Sequence, residues 1–143
     1  MPAIKIKMRF DYKGQVKNSK LFGNKQPEQL ADETREHKVA MLRNIPMQGI
    51  SIADIDMSMD VYSVIDEISG KKIAFAPVVI TFVADGLENA VRFAAQEEFR
   101  TVQVVEPDAL NFTAGDTEKL LFRVSQEIMD FRNQWLRKID NWK

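Results

Sequence analysis

Ile55-Asp56-Met57-Ser58-Met59-Asp60-Val61 alternates apolar and polar side chains without a break, and a second run, Val78-Val79-Ile80-Thr81-Phe82-Val83-Ala84, follows it beyond a Ser69-Gly70 turn. A strand points successive side chains to opposite faces, so a period of two marks a sheet with one face against a core. Centring a two-residue turn on Ser69-Gly70 sets Val61 opposite Val78, Met59 opposite Ile80, Met57 opposite Phe82 and Ile55 opposite Ala84. One face of that hairpin is apolar throughout, and Met59 is expected as a buried neighbour of Ile80.

The flanking segments extend the same architecture. Ile4, Ile6, Met8, Phe10 and Tyr12 alternate with Lys5, Lys7, Arg9 and Asp11, which predicts a half-buried first strand. Residues 13–25 carry Gly14, Gly23 and several lysines and are expected as a long loop. A helix is expected from Pro27 to about Asn44, stopping before Pro46, with Leu30, Thr34, His37, Met41 and Ile45 on its inward stripe. Pro77 lacks a backbone donor, so a bulge or bend is expected near the start of the second hairpin arm. A short helix over 87–98 and a fourth strand over 99–105 follow, closed by Glu106-Pro107.

The last segment is the longest helix, about 116–141, with Thr113 or Asp116 as its cap. Its stripe of Leu121, Val124, Ile128, Phe131, Trp135, Ile139 and Trp142 follows helical steps. Leu120, Phe122, Met129 and Leu136 widen it beyond one face. The order β-α-β-β-α-β-α predicts a single α+β domain over residues 1–143. Its first six elements match the ferredoxin-like βαββαβ sandwich, an antiparallel sheet with helices on one face, and the long C-terminal helix is added to it.

In that arrangement both early helices cover one sheet face. The other face carries Lys5, Lys7, Arg9, Asp56, Ser58 and Asp60, with a less polar zone where Tyr62 pairs with Pro77 and Val64 with Phe75, beside Val79 and Val83. That zone and the wide stripe of the last helix both need cover. The expectation is that they satisfy each other, within one chain or between two. The interaction surface so defined is Tyr62, Val64, Phe75, Val79, Phe131, Trp135, Ile139 and Trp142.

Composition narrows the functional classes. A net charge of -1 gives no electrostatic footprint for nucleic acid. With no cysteine, thiolate metal sites and cysteine nucleophiles are excluded. No apolar run reaches the ~20 residues of a membrane span. The first residues alternate in polarity and do not resemble a signal peptide. A cytoplasmic protein with neither a nucleic-acid nor a membrane partner is expected.

Candidate sites are few. His37, the one histidine, is expected to pack one ring face at the edge of the core. Asp54, Asp56 and Asp60 are expected as charged positions of a solvated strand. Asp11, Asp66 and Glu67 form the sharper group, because the end of the first strand and the hairpin tip share one sheet edge. Three carboxylates there could hold a divalent ion that polarises a phosphate. This layout resembles palm-type polymerases and nucleotide cyclases, which place acids on the first strand and the following hairpin; the glycine pair before the hairpin acid is absent here.

Three other resemblances are short. Gly14-Gln15-Val16 is similar to part of the acylphosphatase phosphate loop, without that family's arginine. Lys71, Ala74 and Phe75 are similar to the third-strand pattern of RRM domains, without its glycine and remaining aromatics. Asp56-Met57-Ser58 is similar to the Asp-x-Ser-x-x-Gly segment of PilZ domains, with Val61 at the glycine position. The leading expectation is a non-catalytic binding or oligomerisation module, homodimeric, with no cofactor or metal and with room for an unidentified protein or small-molecule partner. The alternative is a small metal-dependent phosphoryl-transfer or phosphohydrolase enzyme using Asp11, Asp66 and Glu67.

Overall fold

The computed structural model describes residues 3–14 and 25–141. Most of the expected lysine-rich loop, the Gln15-Val16 part of the acylphosphatase-like segment, and Trp142 lie outside the described residues. The chain forms β1 (Ile4–Lys13), α1 (Pro27–Asn44), β2 (Ile50–Asp56), β3 (Tyr62–Ile65), β4 (Lys72–Ala84), α2 (Leu87–Ala94), β5 (Phe99–Glu106) and α3 (Ala114–Asp140). It is a mixed α+β fold with a five-stranded antiparallel sheet in the order β2-β4-β1-β5, β3 pairing with β4 further along the same edge as β2.

Alternation along β1 and β4 builds the core. Ile4, Ile6, Met8 and Phe10 lie opposite Ala84, Phe82, Ile80 and Val78, all of them buried. Phe93 of α2 closes the layer, edge-on to Phe10 (centroids 5.4 Å apart) and stacked on Phe82 (4.7 Å). Burying groups of this size is the main favourable term in the fold, roughly 1.5–3 kcal/mol for each large side chain.

The hairpin register differs from the expected one. Tyr62 pairs with Phe75, not Pro77; Val64 pairs with Ile73, not Phe75; and Ile55 pairs with Ile80, not Ala84. The cause lies in the tip, which is wider than a two-residue turn. Asp66 accepts from the Ile68 N–H (3.0 Å) and the Ser69 hydroxyl (3.0 Å), and Gly70 adopts φ +69°, which only glycine takes without strain. Both displacements are even, so these side chains keep their expected faces. Met59 does not: it lies between strands, 37% exposed, and has no pairing with Ile80.

Pro77 lies in β4 without kinking it, and the irregularity falls on the neighbouring edge strand instead. Asp11, opposite Pro77, sends its N–H to the Glu98 carbonyl on the β5 side (2.9 Å). The pair is therefore a non-hydrogen-bonded one, and the nitrogen and carbonyl of Pro77 point the other way, to the β2/β3 edge. A strand residue there would meet a nitrogen with no hydrogen. The ladder breaks at that point: β2 ends at Asp56 opposite Val79, and β3 begins at Tyr62 opposite Phe75. A further register shift between Ile52 and Asp54 lets β2 begin five residues before the expected alternation, with Ile50 and Ile52 against the core.

Arg35 of α1 fills the break. Its Nη1 donates to the carbonyls of Met59 (2.8 Å) and Pro77 (3.2 Å), and its Nη2 donates to Asp32 Oδ1 (2.8 Å). The inward residues of α1 are Ala31, Arg35 and Val39, one position round from the expected stripe. His37 consequently faces water, and Met41 and Ile45 are 41% and 53% exposed. Small residues explain the rotation. Ala31, Ala74 and Ala76 pack together with Val61 and let the helix close on β4. The chain leaving β1 crosses the same helix closely enough that a Cβ on Gly14 would lie 2.8 Å from the Ala31 nitrogen.

The central role of Arg35 is measurable. Arg35→Ala leaves two carbonyls without a donor, each worth about 1–3 kcal/mol when buried, so a loss of about 2–4 kcal/mol is expected in urea unfolding. Asp32→Ala removes a half-exposed partner of the same arginine and should cost less than about 1 kcal/mol. Equal effects from the two variants would remove Arg35 from this role.

Candidate interaction surface

On the open face the expected apolar zone is anchored by a buried charge. Asp11 is 2% exposed. Arg9 grips it with Nε to Oδ1 (2.9 Å) and Nη2 to Oδ2 (3.2 Å), and the Tyr62 hydroxyl donates to Oδ2 (2.5 Å). Arg100 Nε stands 3.8 Å from the same oxygen, with its guanidinium over the Phe75 ring at 5.6 Å. Tyr62 and Phe75, cross-strand partners, stack with centroids 5.5 Å apart. A buried carboxylate needs compensation of this kind, and here two strands and an arginine from β5 supply it.

The group is therefore a closed ion network. The Asp11 hydrogen bond raises Arg9 further above the ordinary guanidinium value, and burial followed by the Asp11 hydrogen bond raises Tyr62. Asp66 instead turns back on its own hairpin tip, where the Ile68 N–H and Ser69 hold it below the usual carboxylate range. Glu67 is exposed beside it. Among the described residues no three His, Asp or Glu side chains converge where they could hold a metal ion. Asp54 and Asp56 lie on β2, Asp56 accepting from the Ser58 N–H (2.8 Å), and Asp60 lies in the break before β3.

The other expected surface residues fall in two places. Tyr62, Phe75 and Val79 are half-buried on the open face, and Val64 is 46% exposed. Phe131, Trp135 and Ile139 lie on α3, 68%, 55% and 40% exposed. The two groups do not cover each other within the chain, which corrects that part of the expectation.

α3 leans on α2 by its less apolar side. Its half-buried residues are Asp116, Leu120, Arg123 and Glu127, and Glu127 meets Arg92 at 3.6 Å. No residue of the helix is fully buried. Thr113 starts it with a capping box, its hydroxyl accepting from the Asp116 N–H (3.1 Å) while Asp116 accepts from the Thr113 N–H (3.1 Å). Beside this contact runs a groove of 630 Å³ between Val91 and Ala94 of α2, with Ala95 just beyond its end, and Val124, Phe131 and Trp135 of α3. Among the described residues no helix is long and apolar enough to cross a membrane.

Arg9 and Asp11 stand two apart on β1, so their pairing follows from the period of the strand. Tyr62 and Arg100 required the true register. Compared with protein-family models, with curated proteins and with solved structures, the chain shows no significant match to any of them.

Two tyrosines make the network observable. Burial, chiefly, and then the charge of Glu98 push Tyr12 well above the ordinary phenol value, and Tyr62 is raised as set out above. A raised folded pKa contributes stability that is fully present below the unfolded tyrosine value of about 10 and is lost as pH rises through the folded value. Tyrosinate absorbance should therefore stay flat through the ordinary phenol range and rise only at higher pH. Tyr62→Phe should lower stability at neutral pH by about 1.5 kcal/mol and reduce its alkaline fall. Two tyrosines titrating normally in the folded protein would contradict the network.

Proposed function

We propose that this chain is a non-catalytic binding and oligomerisation module, that α3 with the α2–α3 groove is its main contact surface, and that its partner is a second copy. The observation carrying this reading is the uncovered apolar stripe of α3, a helix of 27 residues none of which is fully buried.

The chemistry of that stripe supports the reading. Leu121, Phe122, Ile128, Phe131 and Trp135 are each more than half exposed. Aromatic residues of this kind dominate the energy of interfaces, and a two-fold dimer buries one patch twice. Among the described residues the one buried carboxylate of the open face, Asp11, is already paired with Arg9 and Tyr62. Counting the broken edge of β2 and β3 as one strand supports a ferredoxin-like arrangement of the sheet, and the absence of cysteine fits a cytoplasmic location.

Sedimentation at micromolar concentration tests the proposal. The wild type should sediment as a dimer and Trp135→Glu as a folded monomer, because a carboxylate cannot enter an apolar interface without a partner. A wild type that stays monomeric across the accessible concentration range overturns it.

A further inference from the structure

The two edges of the sheet are built differently. The β2/β3 edge is broken at Pro77, irregular at Ala53, plugged by Arg35 and lined by Asp54 and Asp56. Breaks, bulges and charges of this kind keep other strands from pairing. β5 has no proline and no charge between Arg100 and Glu106; its run is Thr101-Val102-Gln103-Val104-Val105. Every residue of β5 after Phe99 is exposed. Val102 and Val104 stand opposite Met8 and Ile6 on the helix side of the sheet, yet are 54% and 43% exposed, because no helix covers them.

Backbone geometry shows what this edge offers. Asp11 sends its N–H toward β5, so Arg9 and Lys7, at steps of two along β1, do so as well. Their partners Thr101 and Gln103 therefore turn their polar groups inward, to β1. Val102 and Val104 turn theirs outward, to the free edge. Register shifts beside Arg9 and Lys5 bound this regular stretch.

We propose that a second copy of the chain pairs antiparallel with the free edge of β5 about a two-fold axis at Gln103, joining the two sheets into one. This rests on the self-association reading and assigns its seam. In that register Val102 and Val104 exchange both their hydrogen bonds with the partner's Val104 and Val102. Thr101 faces the partner's Val105, and Arg100 faces the partner's Glu106 at both ends. Arg100 lies over Phe75 and Glu106 stands opposite Lys5, so both are on the open face, where opposite charges can meet. Moving the axis to Val102 or Val104 loses that charge match. The four valines form one apolar strip on the helix side, the side on which α2 packs Phe93 and carries α3. Pairing of so short an edge is too small for a stable dimer by itself; α3 supplies the area, and the edge supplies the register.

The absence of cysteine allows a direct test. The axis at Gln103 makes a non-hydrogen-bonded pair of the two copies of that residue, with Cα atoms about 4.5 Å apart, inside the range of a disulfide. Gln103→Cys should therefore cross-link to a covalent dimer on mild oxidation. Thr101→Cys should not, since its two copies stand about 13 Å apart, four residues along a strand. Val104→Pro removes an outward N–H and no bond within the chain. It should keep the circular dichroism of the wild type while raising the dimer Kd roughly tenfold. A dimeric wild type whose Gln103→Cys variant stays unlinked, or whose Val104→Pro variant associates as tightly as before, overturns the seam and leaves self-association standing. A monomeric wild type overturns both.

Discussion

A proline in the middle of a long strand leaves one place on its outer edge where no neighbour can receive a hydrogen bond, and the fold is arranged around that place. β4 pairs continuously with β1 through Pro77, so the whole cost falls on the other side. The edge strand splits into β2 and β3, the intervening residues leave the ladder, and Arg35 reaches across from α1 to take the two carbonyls exposed there. One guanidinium thereby ties helix, edge and central strand together. It also fixes where β3 resumes, which sets Tyr62 opposite Phe75 and within reach of Asp11. The aromatic and ionic cluster of the open face depends on a break several residues away.

Among the described residues Asp11 and Arg35 are the two buried charged ones, and each is compensated by more than one strand or helix. Removing one partner from such a group is far costlier than the net worth of the group. Their value is in specifying arrangement: Asp11 holds β3 and β5 to β1, and Arg35 holds α1 to β4. Among the described residues the large apolar side chains left exposed gather on α3 and along β5, with others at the hairpin tip (Ile65, Ile68) and the end of α1 (Met41, Ile45).

The class of fold was legible in the sequence because strict alternation in β1 and helical spacing in α3 are strong periodic signals; the alternating run at 55–61 is not one strand, since β2 ends at Asp56 and the rest crosses the break before β3. The cap of α3 was narrowed by residue chemistry to Thr113 or Asp116, of which Thr113 is the cap and Asp116 its capping-box partner, and the end of α1 before Pro46 followed from the same chemistry. The register did not, since it depended on a hairpin tip whose width is set by the Asp66 side chain and by Gly70. Pro77 was recognised as a disturbance, but the strand that would yield to it was not. The inward stripe of α1 was misplaced because it rests on Ala31 and Arg35, while the larger Met41 and Ile45 suggested the wrong side. The exposed stripe of the last helix was visible as an excess of apolar residues, whereas its docking on α2 through Arg123 and Glu127 was not. The Arg9–Asp11 pair was within reach of the strand period; Arg100 belonged to a cluster that only three-dimensional pairing assembles.

Among the described residues every buried side chain precedes Ala94 in the chain. Synthesis runs from the N-terminus, so the residues that close the core all leave the ribosome before α3 is complete. The sheet and its first two helices can therefore consolidate while the last helix is still emerging. α3 then arrives as a rod capped by its own Thr113–Asp116 box, its apolar stripe still in water. A core that closes before this stripe emerges shortens the time for which the two sets of apolar side chains can collapse on each other wrongly.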